Sequence, residues 1–186
     1  MKPFSENSER NRAPILAVLK RIFSKTKLVL EIGSGTGQHA AYFAPELPHL
    51  TWQASDRAEN LADIRQWVAN PIEIDVDKPF PKVDADAVFT ANTCHIMSWP
   101  QVERLFEEVG GMSSVKTFCL YGPFNYGGKH TSESNARFDA MLRGRDPASG
   151  IRDSEAISAL AGKSGFRLAE DNAMPANNRL LVFRRD

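Results

Sequence analysis

The apolar run Leu28-Val29-Leu30-Glu31-Ile32 ends in Gly33-Ser34-Gly35-Thr36-Gly37-Gln38, with glycine at every second position. Glycines so spaced allow a tight strand-to-helix turn in which a ligand lies against bare backbone. Asp56 follows Gly37 by 19 residues, at the end of the next strand-like stretch, Leu50–Ser55. A Gly-rich first turn with an acid after the second strand is the layout of a nucleoside-binding α/β domain. The carboxylate suits that place because it is acceptor-only and can take both ribose hydroxyls. A dinucleotide turn needs G-x-G-x-x-G facing a pyrophosphate. Here the third glycine comes one position early, and Gln38 stands where the last one belongs. Glu31 lies two residues before the first glycine. A carboxylate there suits a ligand with positive charge and disfavours a nearby phosphate. A Gly-rich turn that binds nothing is the bland alternative.

Further along, Asp75 sits in Ile72-Glu73-Ile74-Asp75-Val76-Asp77, after a third strand-like stretch. A turn-capping or solvated acid is its plain reading. In an open α/β sheet the ligand crevice lies outside the carboxyl ends of the strands. That places Asn92 and His95, from Ala91-Asn92-Thr93-Cys94-His95, near the ligand. Two readings of His95 stay open: a general base, or a structural histidine bonded to a carbonyl. The stretch Tyr121-Gly122-Pro123-Phe124-Asn125-Tyr126-Gly127-Gly128 is aromatic, polar and hinged by glycines, as the wall of a substrate pocket is. Tyr121 joins Asn92 and His95 as the candidate catalytic set. Ser132, Asn135 and Phe138 extend that wall, and Asn177 and Asn178 lie at a turn that reaches the same side.

Alternating strand-like and helix-like segments must position these groups, which predicts an α/β layered domain with a mostly parallel sheet. Strands are expected at Leu28–Ile32, Leu50–Ser55, Ile72–Val76, Ala87–Ala91 and Thr117–Tyr121. Helices are expected at Pro14–Phe23 with Pro14 in the first turn, from Gly37 to before Pro45 or Pro48, and at Glu59–Val68, Pro100–Val109, Glu133–Leu142 and Ser154–Lys163. Asp153 is the expected N-cap of the last. Phe166–Ala173 and Arg179–Arg184, joined by a turn at Met174–Asn178, read as a closing antiparallel hairpin.

The 186 residues suit one domain, with 1–26 as an N-terminal segment and helix and 27–186 as the core. The composition, 42% hydrophobic and 25% charged, is that of a soluble globular protein. No run approaches the ~18 apolar residues of a membrane span, and Met1–Glu6 lacks the apolar centre of a signal peptide. Cys94 and Cys119 read as reduced core thiols of a cytoplasmic protein, and no His/Cys/Asp spacing reads as a metal site. With 23 basic and 23 acidic residues the chain has no basic footprint for nucleic acid. The balance is uneven: residues 1–30 hold seven Lys/Arg and two Glu, whereas 56–108 hold eleven acids and five bases. The oligomeric state is not legible.

Glu31-x-Gly33-x-Gly35-x-Gly37 resembles the first motif of the class I S-adenosylmethionine (AdoMet)-dependent methyltransferases. The segment around Asp75 resembles their third motif, and a terminal hairpin on a parallel sheet is similar to theirs. Glu9-Arg10-Asn11-Arg12-Ala13-Pro14-Ile15, Gly33–His39, Tyr121–Phe124 and Met174–Asn178 resemble segments of one uncharacterised methyltransferase-like family across nearly the whole chain. The resemblance implies a Rossmann-like fold with a seven-stranded sheet and AdoMet as cofactor. It implies contacts from the turn (Gly33, Ser34, Gly35, Gly37), with Glu31 toward the ammonium end and Asp56 on the ribose. Asp75 would accept from the adenine amino group, with Val76 as an apolar wall and Asn92 near the methionine part. Asn11 and Arg12 are candidates to reach over that site. The expected activity is methyl transfer to a small molecule, with a non-catalytic AdoMet-binding protein and an NAD-dependent oxidoreductase as rivals. Protein and RNA acceptors are disfavoured by the absence of an added recognition domain and of an N-P-P-Y-type tetrapeptide, Asn92-Thr93-Cys94-His95 standing in that place.

Overall fold

The computed structural model describes residues 2–186. Helix α1 (Glu6–Ile22) precedes strand β1 (Leu28–Ile32), helix α2 (Gln38–Glu46) and strand β2 (Thr51–Asp56). A 3-10 turn at Ala58–Asn60 leads into the short helix α3 (Leu61–Ile64) and strand β3 (Ile72–Glu73). Strand β4 (Ala87–Ala91), helix α4 (Trp99–Gly111) and strand β5 (Thr117–Gly122) follow. Then come β6 (Phe124–Asn125), α5 (Glu133–Arg145), β7 (Arg152–Asp153), α6 (Ser154–Lys163), β8 (Arg167–Met174) and β9 (Asn178–Arg184). The main sheet has seven strands in the order β3-β2-β1-β4-β5-β9-β8. All pairs are parallel except β5–β9 and β9–β8. Small β6 and β7 pair separately.

The order reverses between β1 and β4, so the chain leaves β1 in opposite directions on its two sides. Their connections part there and open a crevice beyond the carboxyl ends of the strands. Each central strand is apolar on both faces, as a parallel sheet covered on both sides requires. Leu30, Val88, Phe118 and Leu181 pack beneath Val102, Leu105 and Phe106 of α4 and Ile157 of α6. Val29, Phe89, Cys119 and Val182 pack beneath Ile15, Leu16 and Leu19 of α1 and Phe43 of α2. Both cysteines are free and buried, and burial pushes their thiols up, Cys94 to about 11.

Several elements differ from expectation for local reasons. Helix α1 begins eight residues before Pro14, because Ser5 caps it by accepting from the Ser8 amide at 3.2 Å. Pro14 therefore lies inside the helix and leaves the Arg10 carbonyl without its usual donor. The expected Glu59–Val68 helix is cut to a 3-10 turn and α3. Past Ile64 the amides of Gln66 and Trp67 bond three residues back rather than four, which tightens the chain as the Trp67 indole turns to the Pro3 carbonyl at 2.9 Å. Strand β3 ends at Glu73 rather than Val76, since the Asp75 carboxylate accepts from the Asp77 amide at 3.0 Å and turns the chain off the sheet edge. Asp153 occupies the N-cap position of α6 but makes no side-chain cap bond. Among the described residues, no helix is long and apolar enough to cross a membrane, and no group of three His, Cys, Asp or Glu stands ready to hold a metal ion.

Candidate functional site

A cleft of about 520 Å³ opens at the carboxyl ends of β1, β2 and β4. Its floor is the turn from β1 into α2. Gly33, Gly35 and Gly37 all have positive φ (+74°, +58° and +87°), a region side chains disfavour. A Cβ on Gly33 would come within 2.6 Å of Thr93 Cγ2, so the turn passes over the β4 loop only without a side chain there. Gly35 faces open space on the cleft side. Ser34 ties the turn down: its amide donates to the Ser55 carbonyl, its hydroxyl donates to Glu31 Oε2 at 2.9 Å and accepts from the Ser55 amide at 3.1 Å.

Asp56, at the end of β2, faces the turn. Its Oδ2 accepts from the Gly35 amide at 2.8 Å. Its Oδ1 accepts from the Arg57 amide and from Asn60 Nδ2, each at 2.8 Å. A carboxylate offers about four acceptor positions, and three are in use. Oδ2 thus keeps one free lone pair for a further donor, while Oδ1 could take another only if the Asn60 amide turned aside. Asp75 and Val76 also line the cleft, with Ile74. Asp75 combines both readings: Oδ1 caps its turn, and Oδ2 keeps only a 3.7 Å approach from Lys78.

Glu31 does not line the cleft. It lies beneath the turn, fully buried, where Trp52 Nε1 and Ser34 Oγ both donate to Oε2 at 3.0 and 2.9 Å. Burial pushes its carboxyl up to about 7, against the lowering effect of those two bonds. His39, which lines the cleft, brings Nδ1 to 4.0 Å from Glu31 Oε1. Burial and the nearby Arg12 charge push His39 down to about 4, so it is neutral and this contact is not an ion pair. Its Nε2 lies 2.7 Å from Asn11 Oδ1 and donates to it, which leaves the Nδ1 lone pair facing Glu31.

Asn92 and His95 both line the cleft. Asn92 adopts φ +59°, a region Asn tolerates, and its amide donates to the Tyr121 carbonyl at 2.8 Å. The amides of Ile96 and Met97 both bond the Thr93 carbonyl, which closes the chain into a tight turn carrying His95. The imidazole is 6% exposed, stands edge-on to Phe138 at 5.3 Å, and has no hydrogen-bond partner among the described residues. Burial first, and the Arg152 charge second, push it down to about 4. Its carbonyl, not its ring, carries the structural bond, accepting from the Gly150 amide at 2.9 Å. Tyr121 is not brought into the cleft. It alternates with Leu120 along β5 and points to the α1 side, where burial raises its hydroxyl pKa and Asn11 and Asn178 lower it.

The cleft has a roof one helical turn before Asn11 and Arg12. Ser5, Asn7 and Ser8 line it, rather than Asn11 and Arg12. Arg12 pairs with Glu9 and lies over the Tyr42 ring. Gln38 latches the roof: buried, it accepts from the Ser5 amide and from Thr36 Oγ1, and its Nε2 reaches Glu9 at 3.5 Å. Trp67 holds the other end through the Pro3 carbonyl, with Lys2 Nζ over its ring. Asn60, His39, Ile96, Met97 and Gln101 also line the cleft. Only Asn60, one helical turn from Asp56, and His39, at the end of the glycine turn, carried a sequence signal.

Solved methyltransferases share this fold. The mitomycin 7-O-methyltransferase MmcR superposes with a TM-score of 0.83 at 18% identity, over 96% of this chain and 54% of that protein. An O-methyltransferase family protein from Burkholderia thailandensis gives 0.81 at 16%, over 94% and 56%. Human N-acetylserotonin methyltransferase, solved in complex with SAM (AdoMet), gives 0.72 at 17%, over 94% and 55%. The chain thus spans about half the length of these proteins. Its residues 2–185 match the family described as "Protein of unknown function (DUF938)", and the chain belongs to that family, on a Rossmann-like methyltransferase fold.

Proposed function

We propose that the protein is an AdoMet-dependent methyltransferase acting on a small-molecule acceptor. The observation that carries the reading is one cleft in which the bare Gly35 backbone, the Asp56 carboxylate and the unpartnered His95 imidazole meet. The donor set fits the cofactor. Asp56 Oδ2 suits a ribose hydroxyl, Ile74 and Val76 a purine face, and Asp75 Oδ2 an exocyclic amino group. His39, which lines the cleft, and the Glu31 carboxylate beneath the turn, once ionised, would favour an ammonium group at this corner. AdoMet bound there would supply a methyl group on a sulfonium.

The chain's own residues then align and exclude. The roof of Ser5, Asn7 and Ser8 keeps water from the cleft, and Ile96, Met97 and Phe138 shape an apolar side for the acceptor. Well-oriented partners gain ~7–11 kcal/mol from proximity alone, so much of the rate needs no acid or base. His95, neutral at pH 7, accepts a hydrogen bond from an acceptor O–H or N–H. It would take that proton as the acceptor is methylated and release it to solvent afterwards. Its low proton affinity also favours a second reading, a non-catalytic AdoMet-binding protein. Methyl transfer from labelled AdoMet to pooled cell metabolites separates the two.

Calorimetric titration with AdoMet, S-adenosylhomocysteine and NADH, on the wild type and on Asp56→Ala, tests the cofactor. Micromolar binding of the first two, lost at least tenfold in the variant, is expected. Binding of NADH alone would overturn the reading in favour of an oxidoreductase.

A further inference from the structure

We propose that Arg152 is the positioning residue of the acceptor side of the cleft, holding the turn that carries His95 by gathering its backbone carbonyls under one guanidinium. This rests on the methyltransferase reading for its purpose, but not for its geometry. Arg152 lies on β7, 57 residues along the chain from His95, and has no carboxylate within ion-pair distance among the described residues. Its donors go to carbonyls instead. Nε donates to the Cys94 carbonyl at 3.2 Å, and Nη2 donates to the carbonyls of Met97 and of Ala148, the latter at 2.8 Å. Cys94 and Met97 bracket His95, so both sides of the turn hang from this one side chain.

The arrangement is specific to arginine. The guanidinium is a rigid planar fork that reaches carbonyls of two chain segments at once, and a lysine ammonium is a compact point charge on a flexible stem. An unpaired, half-buried cation costs desolvation energy that three neutral hydrogen bonds only partly return. A core built for stability alone would favour an apolar side chain there. The neighbouring residue pattern serves the same turn. The Gly150 amide donates to the His95 carbonyl, and a Cβ on Gly150 would lie 2.5 Å from Arg143 Nη2. Arg143 is held in turn by Asp139, whose other oxygen accepts from the Ile151 amide at 2.7 Å. The groups facing the imidazole are then Phe138 from α5, Asn92 from its own loop, Gly122 at the end of β5, and Arg152 as the near charge, with Arg143 behind Gly150.

The second buried histidine of the cleft supplies an internal control. His39 lies across the cleft on α2, with no contact to Arg152. Ring proton resonances of both histidines, followed by NMR from pH 8 to pH 3 in the wild type, Arg152→Lys and Arg152→Gln, read the turn directly. In Arg152→Lys the charge stays and the fork is lost. The ring-current displacement of the His95 resonances by Phe138 is expected to collapse, with His39 unchanged. In Arg152→Gln the His95 midpoint is also expected to rise by about one pH unit, again with His39 unmoved. AdoMet affinity by calorimetry is expected to stay within twofold in both variants. Unchanged His95 resonances in a folded Arg152→Lys, or His39 and His95 moving together, would overturn the proposal. Should Arg152→Gln fail to fold, the Lys variant alone decides it. Failure of the wild type to bind AdoMet would sink the functional reading while leaving the NMR result to judge the positioning role.

Discussion

Glu31 shows how a buried carboxylate can cost stability. Its carboxyl, fully buried, is pushed from the ordinary carboxylate range up to about 7. A raised acid pKa means that the unfolded chain ionises first. Stability from this group is present below about pH 4.5 and is lost as pH rises toward 7. The loss approaches about 3 kcal/mol. Glu31→Gln keeps an oxygen for Trp52 and Ser34 and removes the charge. The variant is expected to melt several degrees higher than the wild type at pH 8 and at the same temperature at pH 4.5, by calorimetry. It is also expected to bind AdoMet at least tenfold more weakly at pH 8, because a neutral amide cannot balance an ammonium group. A variant less stable at pH 8 would mean that the carboxylate is a structural anion and not a burdened ligand. At Asp56 the spacing from the glycine turn was legible, but the three donors already on its oxygens were not. Asn60 reaches it only because the chain turns after β2.

The element that most constrains the site is the turn between β1 and α2, and its partner is the loop after β4. Gly33→Ala adds a methyl 2.6 Å from Thr93 Cγ2 and forces φ +74° on an alanine. Those two costs can be told apart. Thr93→Ser removes Cγ2 but keeps the hydroxyl that bonds Thr90 Oγ1 at 2.7 Å. Gly33→Ala alone is expected to lower the urea-unfolding free energy by about 2–3 kcal/mol, and the double variant to recover all but the ~1 kcal/mol of backbone strain. Additive effects of the two changes would show that this contact does not limit the turn. Strands β1 and β4 and helix α6 stand where their apolar runs place them, because buried strands and amphipathic helices carry their own period. Helix α3 and strand β3 do not. Their ends are set by the Trp67 indole turning to Pro3 and the Asp75 carboxylate turning to the Asp77 amide. No local pattern announces either bond.

Over the whole molecule, two buried histidines govern behaviour in acid. His39 and His95 are both pushed down to about 4 by burial, each with a nearby arginine charge. Their folded values lie below the ordinary ~6.5, so the unfolded chain binds protons first as pH falls. Stability is expected to drop between pH 6.5 and pH 4, by up to about 3 kcal/mol for each ring. Glu31 opposes this in the same window, so the drop should be steeper in Glu31→Gln than in the wild type. Urea-unfolding midpoints at pH 6.5, 5.5 and 4.5 for both proteins check it, and parallel curves would contradict the assignment.

The sequence by itself determined the sheet, the glycine turn, the acid after the second strand and the closing hairpin. Each is encoded within a few neighbouring residues, by hydrophobic period or by the need for positive φ. Only the tertiary structure decided which polar groups meet. It put Tyr121 on the α1 side, since successive strand residues face opposite ways and a one-residue difference exchanges the α1 face of the sheet for the α4 face. It roofed the cleft with Ser5, Asn7 and Ser8 by latching them to Gln38. It also set Arg152 beneath the His95 turn across 57 residues of chain, a contact that rests on β7 returning to pair with β6 rather than on any spacing.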